Sequence, residues 1–196
     1  MSRKFDVAVV GATGAVGETM LSILAERNFP VGQIHALASA RSAGKRVEFG
    51  DKQLVVQDLD TFDFSTVQIG IFSPGASVSK IYAPKAAAAG CVVIDNTSQF
   101  RYDDDKPLII PEVNAHTLGQ YKDTNIIANP NCSTIQMLVA LKPLHDAFGI
   151  TPRQCRHLSG GIRHWQGRYR GIGRSDRASA QWFVDRSGGL SEANCF

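Results

Sequence analysis

Hydrophobic positions in the first 150 residues form short apolar runs separated by stretches of helical spacing. The apolar runs predict strands at 5–10, 33–39, 54–56, 67–72, 91–95 and 125–128. Helical spacing or alanine-rich composition predicts helices from 15 to about 28, at 79–89 and at 132–148, the last with a kink at Pro143. This alternation predicts an α/β fold with a Rossmann-like, mostly parallel sheet and helices on both faces.

The chain changes character after Thr151. The first 151 residues carry 13 basic and 15 acidic residues, whereas the remaining 45 carry eight basic residues, all arginine, and three acidic ones. The tail also holds both tryptophans and lacks the hydrophobic periodicity seen upstream. We therefore expect one folded domain at 1–151 and a poorly ordered tail at 152–196. An arginine-rich arm that binds nucleic acid is the alternative for the tail.

Composition narrows the class of protein further. The net charge of +3 is too small to indicate nucleic-acid binding by itself. No apolar run approaches the ~20 residues of a membrane-spanning helix, and the N-terminus lacks the layout of a signal peptide. The cysteines and histidines show no disulfide framework or metal-ligand spacing. We expect a cytoplasmic protein without a metal and without a nucleic-acid or membrane partner.

A glycine-rich loop joins the first predicted strand to the first predicted helix. Gly11, Gly14 and Gly17 have the spacing G-x-x-G-x-x-G, a variant of the dinucleotide-binding fingerprint. Glycine suits this position because the chain turns tightly and its backbone must approach a pyrophosphate closely. The following helix offers free N–H groups to the phosphates. The loop predicts a dinucleotide site, with a plain tight turn as the alternative.

The end of the second strand indicates which dinucleotide binds. A site for NAD usually has an acidic residue there, which holds the ribose hydroxyls. Residues 38–45 contain no acid, but Arg41 supplies a guanidinium group and Ser39 and Ser42 supply hydroxyls. These groups suit a 2′-phosphate. We therefore expect NADP as the cofactor, with a solvated loop as the alternative.

Cys132 lies where the strand at 125–128 gives way to a helix. A helix N-terminus favours the thiolate form of a cysteine through its dipole and its exposed N–H groups. In a nucleotide-binding enzyme, such a thiolate can add to an aldehyde; the adduct then passes hydride to the nicotinamide and leaves a thioester. A buried structural cysteine is the alternative, and it is the role that we expect for Cys91, inside an apolar strand.

A polar segment at 96–101 follows the strand at 91–95. It begins at the carboxyl edge of the predicted sheet, where ligands bind in such folds. Arg101 is suited to clamp a phosphate or a carboxylate there. An ordinary surface arginine is the alternative.

Five segments together resemble the aspartate-β-semialdehyde dehydrogenase family. The most specific is Asn-Pro-Asn-Cys-Ser-Thr at 129–134, and the others lie at 9–17, 39–44, 94–98 and 111–114. The resemblance runs from about Phe5 to Ile150 without an evident gap. The related N-acetyl-glutamyl-phosphate reductases share the architecture but typically surround the cysteine differently, and they remain an alternative.

The resemblance implies a reaction and a site. The reaction is the NADPH-dependent reduction of L-aspartyl-4-phosphate to aspartate semialdehyde and phosphate, which feeds lysine, threonine and methionine synthesis. Cys132 would form the acyl-thioester, and Arg101 and Asn131 would surround the phosphate. NADP would be held by residues of the glycine loop and of two strand ends: Gly11, Thr13, Gly14, Ala15, Val16, Arg41, Ser42 and Ser73. Family members are usually homodimers or homotetramers.

The tail departs from the family. There the family continues with a Thr-Tyr-Gln and Ser-Gly-x-Gly-Lys stretch and a catalytic domain, which supplies a histidine base, an arginine and a lysine. None of these is recognisable in 152–196. Codons can be chosen for 154–159 and 162–167 that encode both motifs when read one base earlier. We therefore expect a shifted reading frame near Thr151 and a chain of little or no activity. A non-catalytic NADP-binding module with a basic interaction tail is the alternative.

Overall fold

The structure is a computed structural model that describes residues 3–149 and the backbone of 154–156, 179–184 and 190–195. The chain divides into two compact units, 1–135 and 136–196. The first unit contains the strands β1 (Phe5–Val10), β2 (Val31–Ala38), β3 (Arg46–Phe49), β4 (Lys52–Val55), β5 (Gln57–Asp58), β6 (Ile69–Phe72), β7 (Val92–Asp95) and β8 (Ile126–Ala128). The α-helices of the described part are α1 (Ala15–Glu26), α2 (Ala76–Ala88), α3 (Pro111–Asn114) and α4 (Cys132–Phe148).

Six of these strands form one sheet in the order β5-β2-β1-β6-β7-β8, and every pair in it is parallel. The chain leaves β1 through α1 to reach β2 on one side, and it later returns to β6 on the other side of β1. The strand order therefore reverses between β1 and β6. In open α/β sheets this reversal creates a crevice at the carboxyl ends of the strands, where ligands bind.

Both faces of the sheet are covered by helices, as the alternation of strands and helices predicts. Successive residues of β1 point to opposite faces. Val7 and Val9 pack in one apolar cluster with Leu21 of α1. Ala8 and Val10 pack in a second cluster with alanines of α2. Because all four β1 residues are fully buried, β1 is a central strand with apolar side chains on both faces.

Three parts of the fold differ from the predicted pattern. Residues 46–55 form an antiparallel hairpin of β3 and β4 rather than a single strand at 54–56. Residues 111–123, for which the sequence predicted no element, form α3 and a 3-10 helix over Ala115–Asp123. The sequence also predicted α2 to begin at Ser79, but it begins one turn earlier, at Ala76.

The described residues of the second unit form most of α4 and three short strands. α4 continues through Pro143 to Phe148. The strands β9 (Gln154–Arg156), β10 (Ser179–Val184) and β11 (Leu190–Cys195) form an antiparallel sheet in the order β11-β10-β9. The remainder of 152–196 lies outside the described residues, and so does most of the segment for which a shifted frame is expected.

Gly17 is the glycine on which the packing of α1 against β1 depends most directly. A Cβ atom at Gly17 would lie 2.2 Å from the carbonyl oxygen of Gly11 and 2.7 Å from the Cα atom of Ala12. Both obstructing atoms belong to the backbone, so a methyl group fits only if the helix moves away from the strand. The third glycine of the fingerprint serves this close helix–strand approach.

We expect Gly17→Ala to lower the free energy of unfolding by about 3 kcal/mol, as overpacking in a core does. The matched control is Gly119→Ala, because a Cβ atom at Gly119 meets nothing within 4 Å. Thermal denaturation followed by circular dichroism measures both variants. Equal melting temperatures for the two variants would contradict the interpretation that α1 packs too closely on β1 for a side chain at Gly17.

Candidate active site at the carboxyl edge of the sheet

The glycine loop leaves β1 at the crevice and forms the entry to α1. The N–H groups of Gly11 and Ala12 donate to the carbonyl of Leu37 at 2.8 and 3.1 Å, which ties the loop to the end of β2. Gly14 is the N-cap of α1, and no side chain caps the helix there. The N-terminal N–H groups of α1 are therefore available to a ligand. Gly14 and the two residues after it, Ala15 and Val16, are exposed.

Ser73 lies opposite this loop, at the end of β6. Its N–H donates to the carbonyl of Val10 at 2.9 Å, and its hydroxyl lies 3.4 Å from the same oxygen. A Cβ atom at Gly11 would lie 2.9 Å from the backbone of Ser73 and Pro74. The two loops are thus in contact at the point where the strand order reverses. Thr13, on the glycine loop, is half-buried.

The predicted 2′-phosphate residues follow β2, the other neighbour of β1. A single turn of 3-10 helix covers Ala40–Ser42, closed by a 2.7 Å hydrogen bond from the Ser42 N–H to the Ser39 carbonyl. Arg41 is exposed, as is Ser39, whereas Ser42 is only 9% exposed. Arg41 and Ser39 are therefore the accessible groups at this corner of the sheet.

Asn131 and Cys132 form the start of α4. The side-chain oxygen of Asn131 accepts from the N–H of Ser133 at 2.9 Å, so Asn131 caps the helix. The thiol of Cys132 is exposed and lies 3.7 Å from the same Asn131 oxygen. Cys91, by contrast, is fully buried, and burial raises the pKa of its thiol to about 12. The expected structural role of Cys91 fits this burial.

Arg101 bridges the loops that follow β7 and β8. Its Nε donates to the carbonyl of Asn129 at 3.0 Å, and its Nη2 donates to the carbonyl of Asn96 at 3.2 Å. These contacts hold the half-buried guanidinium group against the carbonyl of Asn129, which lies three residues before Cys132. Of the predicted groups, Arg101, Asn131 and Cys132 therefore share one pair of loops.

Two amides next to Arg101 also join these loops. The side-chain N–H of Asn129 donates to the side-chain oxygen of Asn96 at 2.5 Å. The backbone N–H of Asn129 donates to the carbonyl of Asp95 at 2.8 Å. Neither side chain was singled out from the sequence, although both lie in segments that carry the family resemblance.

The predicted residues occupy two neighbouring parts of one edge. The glycine loop, Ser73 and Arg41 lie at the ends of β1, β6 and β2, whereas Arg101, Asn131 and Cys132 lie beyond β7 and β8. The N–H of Asn96 donates to the carbonyl of Phe72 at 2.8 Å, so the two parts are contiguous. A cleft of about 540 Å³ beside the last turns of α2 and the start of β8 contains none of these residues.

The described part of the chain shows neither a metal centre nor a membrane-spanning helix. No group of three or more histidine, cysteine or acidic side chains there is arranged to hold a metal ion. No helix in the described ranges is long and apolar enough to cross a membrane.

Comparison with known proteins agrees with the resemblance in the sequence. Residues 6–121 match the family model described as "Semialdehyde dehydrogenase, NAD binding domain". The chain is 63% identical over 151 residues to the aspartate-semialdehyde dehydrogenase of Shewanella violacea, a match that covers 77% of this chain and 45% of the relative. The chain thus spans less than half the length of the curated relatives it matches.

Solved structures of the same family share this fold. Aspartate semialdehyde dehydrogenase II of Vibrio cholerae, complexed with ASA, has a TM-score of 0.74 and 59% identity, covering 76% of this chain and 48% of that one. The Candida albicans enzyme with NADP has a TM-score of 0.66 and 25% identity, covering 81% of this chain and 52% of that one. The chain therefore belongs to the semialdehyde dehydrogenase family, whose NAD-binding domain model matches residues 6–121.

Proposed function

We propose that this domain binds NADPH and supplies the cysteine nucleophile for the conversion of L-aspartyl-4-phosphate to aspartate semialdehyde and phosphate. The observation that carries the proposal is the exposed thiol of Cys132 at a helix N-terminus. Arg101 donates a hydrogen bond to the loop just before this thiol, and both lie at the sheet edge that also bears the glycine loop. Relatives that are 61–63% identical and named aspartate-semialdehyde dehydrogenase support the choice of substrate.

The fold itself does not require glycine at position 14, whereas a bound dinucleotide does. A Cβ atom at Gly14 would meet only the Gly11 carbonyl, at an ordinary 3.5 Å. The φ angle of Gly14 is −93°, which any residue can adopt. The protein's own packing therefore tolerates a side chain at Gly14, whereas a pyrophosphate on the N–H groups of α1 does not.

The residues of this chain perform the first half of the proposed reaction. The Cys132 thiolate attacks the acyl carbon of aspartyl phosphate, a C–S bond forms, and the C–O bond to phosphate breaks as phosphate leaves. Arg101 and the capped N-terminus of α4 hold negative charge at this position. NADPH, when bound, supplies the hydride that reduces the thioester to the aldehyde. Asn131 keeps the thiol at the first turn of the helix.

We propose NADPH rather than NADH for two reasons: Arg41 is exposed at the end of β2, and residues 38–45 contain no acidic residue. A guanidinium group pairs with a phosphate by charge-assisted hydrogen bonds. An acid at this position would instead accept hydrogen bonds from ribose hydroxyls and repel a phosphate. A solved relative with NADP supports the same choice.

We expect Gly14→Ala to weaken NADPH binding at least about tenfold, because the added methyl group obstructs the pyrophosphate. The free energy of unfolding should fall by no more than about 1 kcal/mol, the scale of an altered N-cap. Fluorescence titration with NADPH and thermal denaturation measure the two effects. Gly119→Ala is the control. Unchanged NADPH affinity in Gly14→Ala would contradict the proposal that the glycine loop binds the dinucleotide.

We expect Arg41→Ser to weaken NADPH binding about 10–100-fold and to leave NADH binding nearly unchanged, since a hydrogen bond to a charged group is worth about 1.5–3 kcal/mol. Arg46→Ser is the matched control, because Arg46 is an exposed arginine that donates to Gln53 at 3.2 Å on the β3–β4 hairpin. Titrations of both variants with both dinucleotides give the ratio. An equal loss of NADPH and NADH affinity in Arg41→Ser would contradict the role in 2′-phosphate binding.

We expect L-aspartyl-4-phosphate to acylate Cys132 in a single slow step without turnover and to leave Cys91 unmodified, because the Cys132 thiol is exposed whereas that of Cys91 is buried with its pKa raised to about 12. Peptide mass spectrometry locates the aspartyl group, and a colorimetric assay measures released phosphate. The control is Cys132→Ser, which should abolish the thioester. Acylation elsewhere in the chain, or none at Cys132, would overturn the proposed function.

A further inference from the structure

Asp95 ends β7 directly before the loop that carries Arg101. Arg101 and the N-terminus of α4 at Cys132 form the proposed anion site. Its side chain is fully buried. Oδ1 accepts from the backbone N–H of Thr97 at 2.6 Å, which closes a tight turn at the start of 96–101. The carboxyl group thus fixes the direction in which the chain leaves the sheet toward Arg101.

A second buried polar group lies near the Asp95 carboxyl, on another element. Ser79 lies in the first turn of α2 and is fully buried. Within the described residues, neither Asp95 Oδ2 nor Ser79 Oγ makes a hydrogen bond of standard geometry. The Ser79 hydroxyl is nevertheless close enough to lower the pKa of Asp95. Leaving two buried polar atoms without a well-formed hydrogen bond costs stability.

The turn closed by Asp95 leads directly to the contacts of the anion site. Asn96, the next residue, accepts from Arg101 through its carbonyl and from Asn129 through its side chain. Arg101 in turn holds the carbonyl of Asn129, three residues before Cys132. A shift of the 96–101 turn would therefore displace the guanidinium group and loosen the loop before the nucleophile.

We propose that Asp95 is a positioning residue, whose buried carboxyl group sets the 96–101 turn and thereby the anion-binding geometry of Arg101 beside Cys132. The inference rests on the proposed function, which makes Arg101 and Cys132 parts of one site. Asp95 itself touches neither substrate nor cofactor.

The positioning depends on the shape of the group at Asp95 rather than on its charge. Burial raises the pKa of the Asp95 carboxyl, and the hydrogen bond from Thr97, the nearby Ser79 hydroxyl and the charge of Arg101 offset only part of this rise. An asparagine keeps an oxygen for the Thr97 N–H and turns an NH₂ group toward the Ser79 hydroxyl. The conservative variant Asp95→Asn should therefore preserve the anion site, whereas Asp95→Ala should not.

The experiment measures how inorganic phosphate protects Cys132 from alkylation by iodoacetamide in the full 196-residue chain. Peptide mass spectrometry separates Cys132 from the other cysteines, and the phosphate dependence of the rate gives a Kd for the folded protein. We expect Asp95→Ala to raise this Kd about tenfold and Asp95→Asn to change it less than about twofold. Melting temperatures are recorded for each variant.

The matched control is Asp63→Ala. Oδ1 of Asp63 also accepts from the N–H two residues on, that of Ser65 at 2.9 Å, but it does so on an exposed 3-10 turn away from the site. The Asp63→Ala variant should bind phosphate with the same Kd as the unaltered chain. A lower melting temperature in Asp95→Ala with an unchanged Kd would show a merely structural role and would overturn the inference.

A further variant keeps the test decisive if Asp95→Ala does not fold. Asn129→Ala removes the side-chain bond to Asn96 and leaves Asp95 in place, and it should raise the phosphate Kd to a similar degree. An unchanged Kd in Asn129→Ala, unfolding of Asp95→Asn, or no phosphate protection in the unaltered chain would each overturn the inference. Failure of the proposed function has a different signature, the absence of NADPH binding or of acyl transfer to Cys132.

Discussion

Parallel pairing of β1 with β2 on one side and with β6 on the other places the ends of distant chain segments at one edge of the sheet. Each strand of a parallel pair needs a crossover connection, so its carboxyl end is followed by a loop that is free of the sheet. The glycine loop, Ser73, Arg41 and the loops beyond β7 and β8 all lie at this edge for that reason. The candidate site residues come together because the strands run in one direction.

The two parts of the edge are built differently. The dinucleotide part depends on the backbone, since its main contributions are the open N–H groups of α1 and the absence of side chains at Gly11 and Gly14. The part around Cys132 depends on side chains that hold backbone carbonyls, with Arg101 and Asn129 as the connections. A backbone site tolerates little addition of volume, whereas a side-chain site is sensitive to small changes of direction. The 2.8 Å bond between Asn96 and Phe72 makes the two parts continuous.

Most of the fold could be predicted from the sequence because its signals are local. A Val-rich run followed by glycine specifies β1 and its turn, and apolar residues at helical spacing specify α1. The β3–β4 hairpin and the 3-10 helix at Ala115–Asp123 were missed because they lack strong periodicity. Their stability comes from contacts with the rest of the domain, which override weak local preference. The structure of most of the tail stays a prediction.

The sequence alone was enough to propose Cys132 as the nucleophile, to find the glycine loop and to recognise the family, because each depends on residue types at short, fixed spacing. The tertiary structure determines which side chains are in contact. Asn96 and Asn129 are 33 residues apart, and Arg101 reaches across 28 residues to the carbonyl of Asn129. It also decided which groups are accessible, since Arg41 is exposed while its neighbour Ser42 and the carboxyl of Asp95 are buried. Burial and long-range contact arise only when strands from distant parts of the chain pair, and no local pattern encodes the depth at which a side chain then lies.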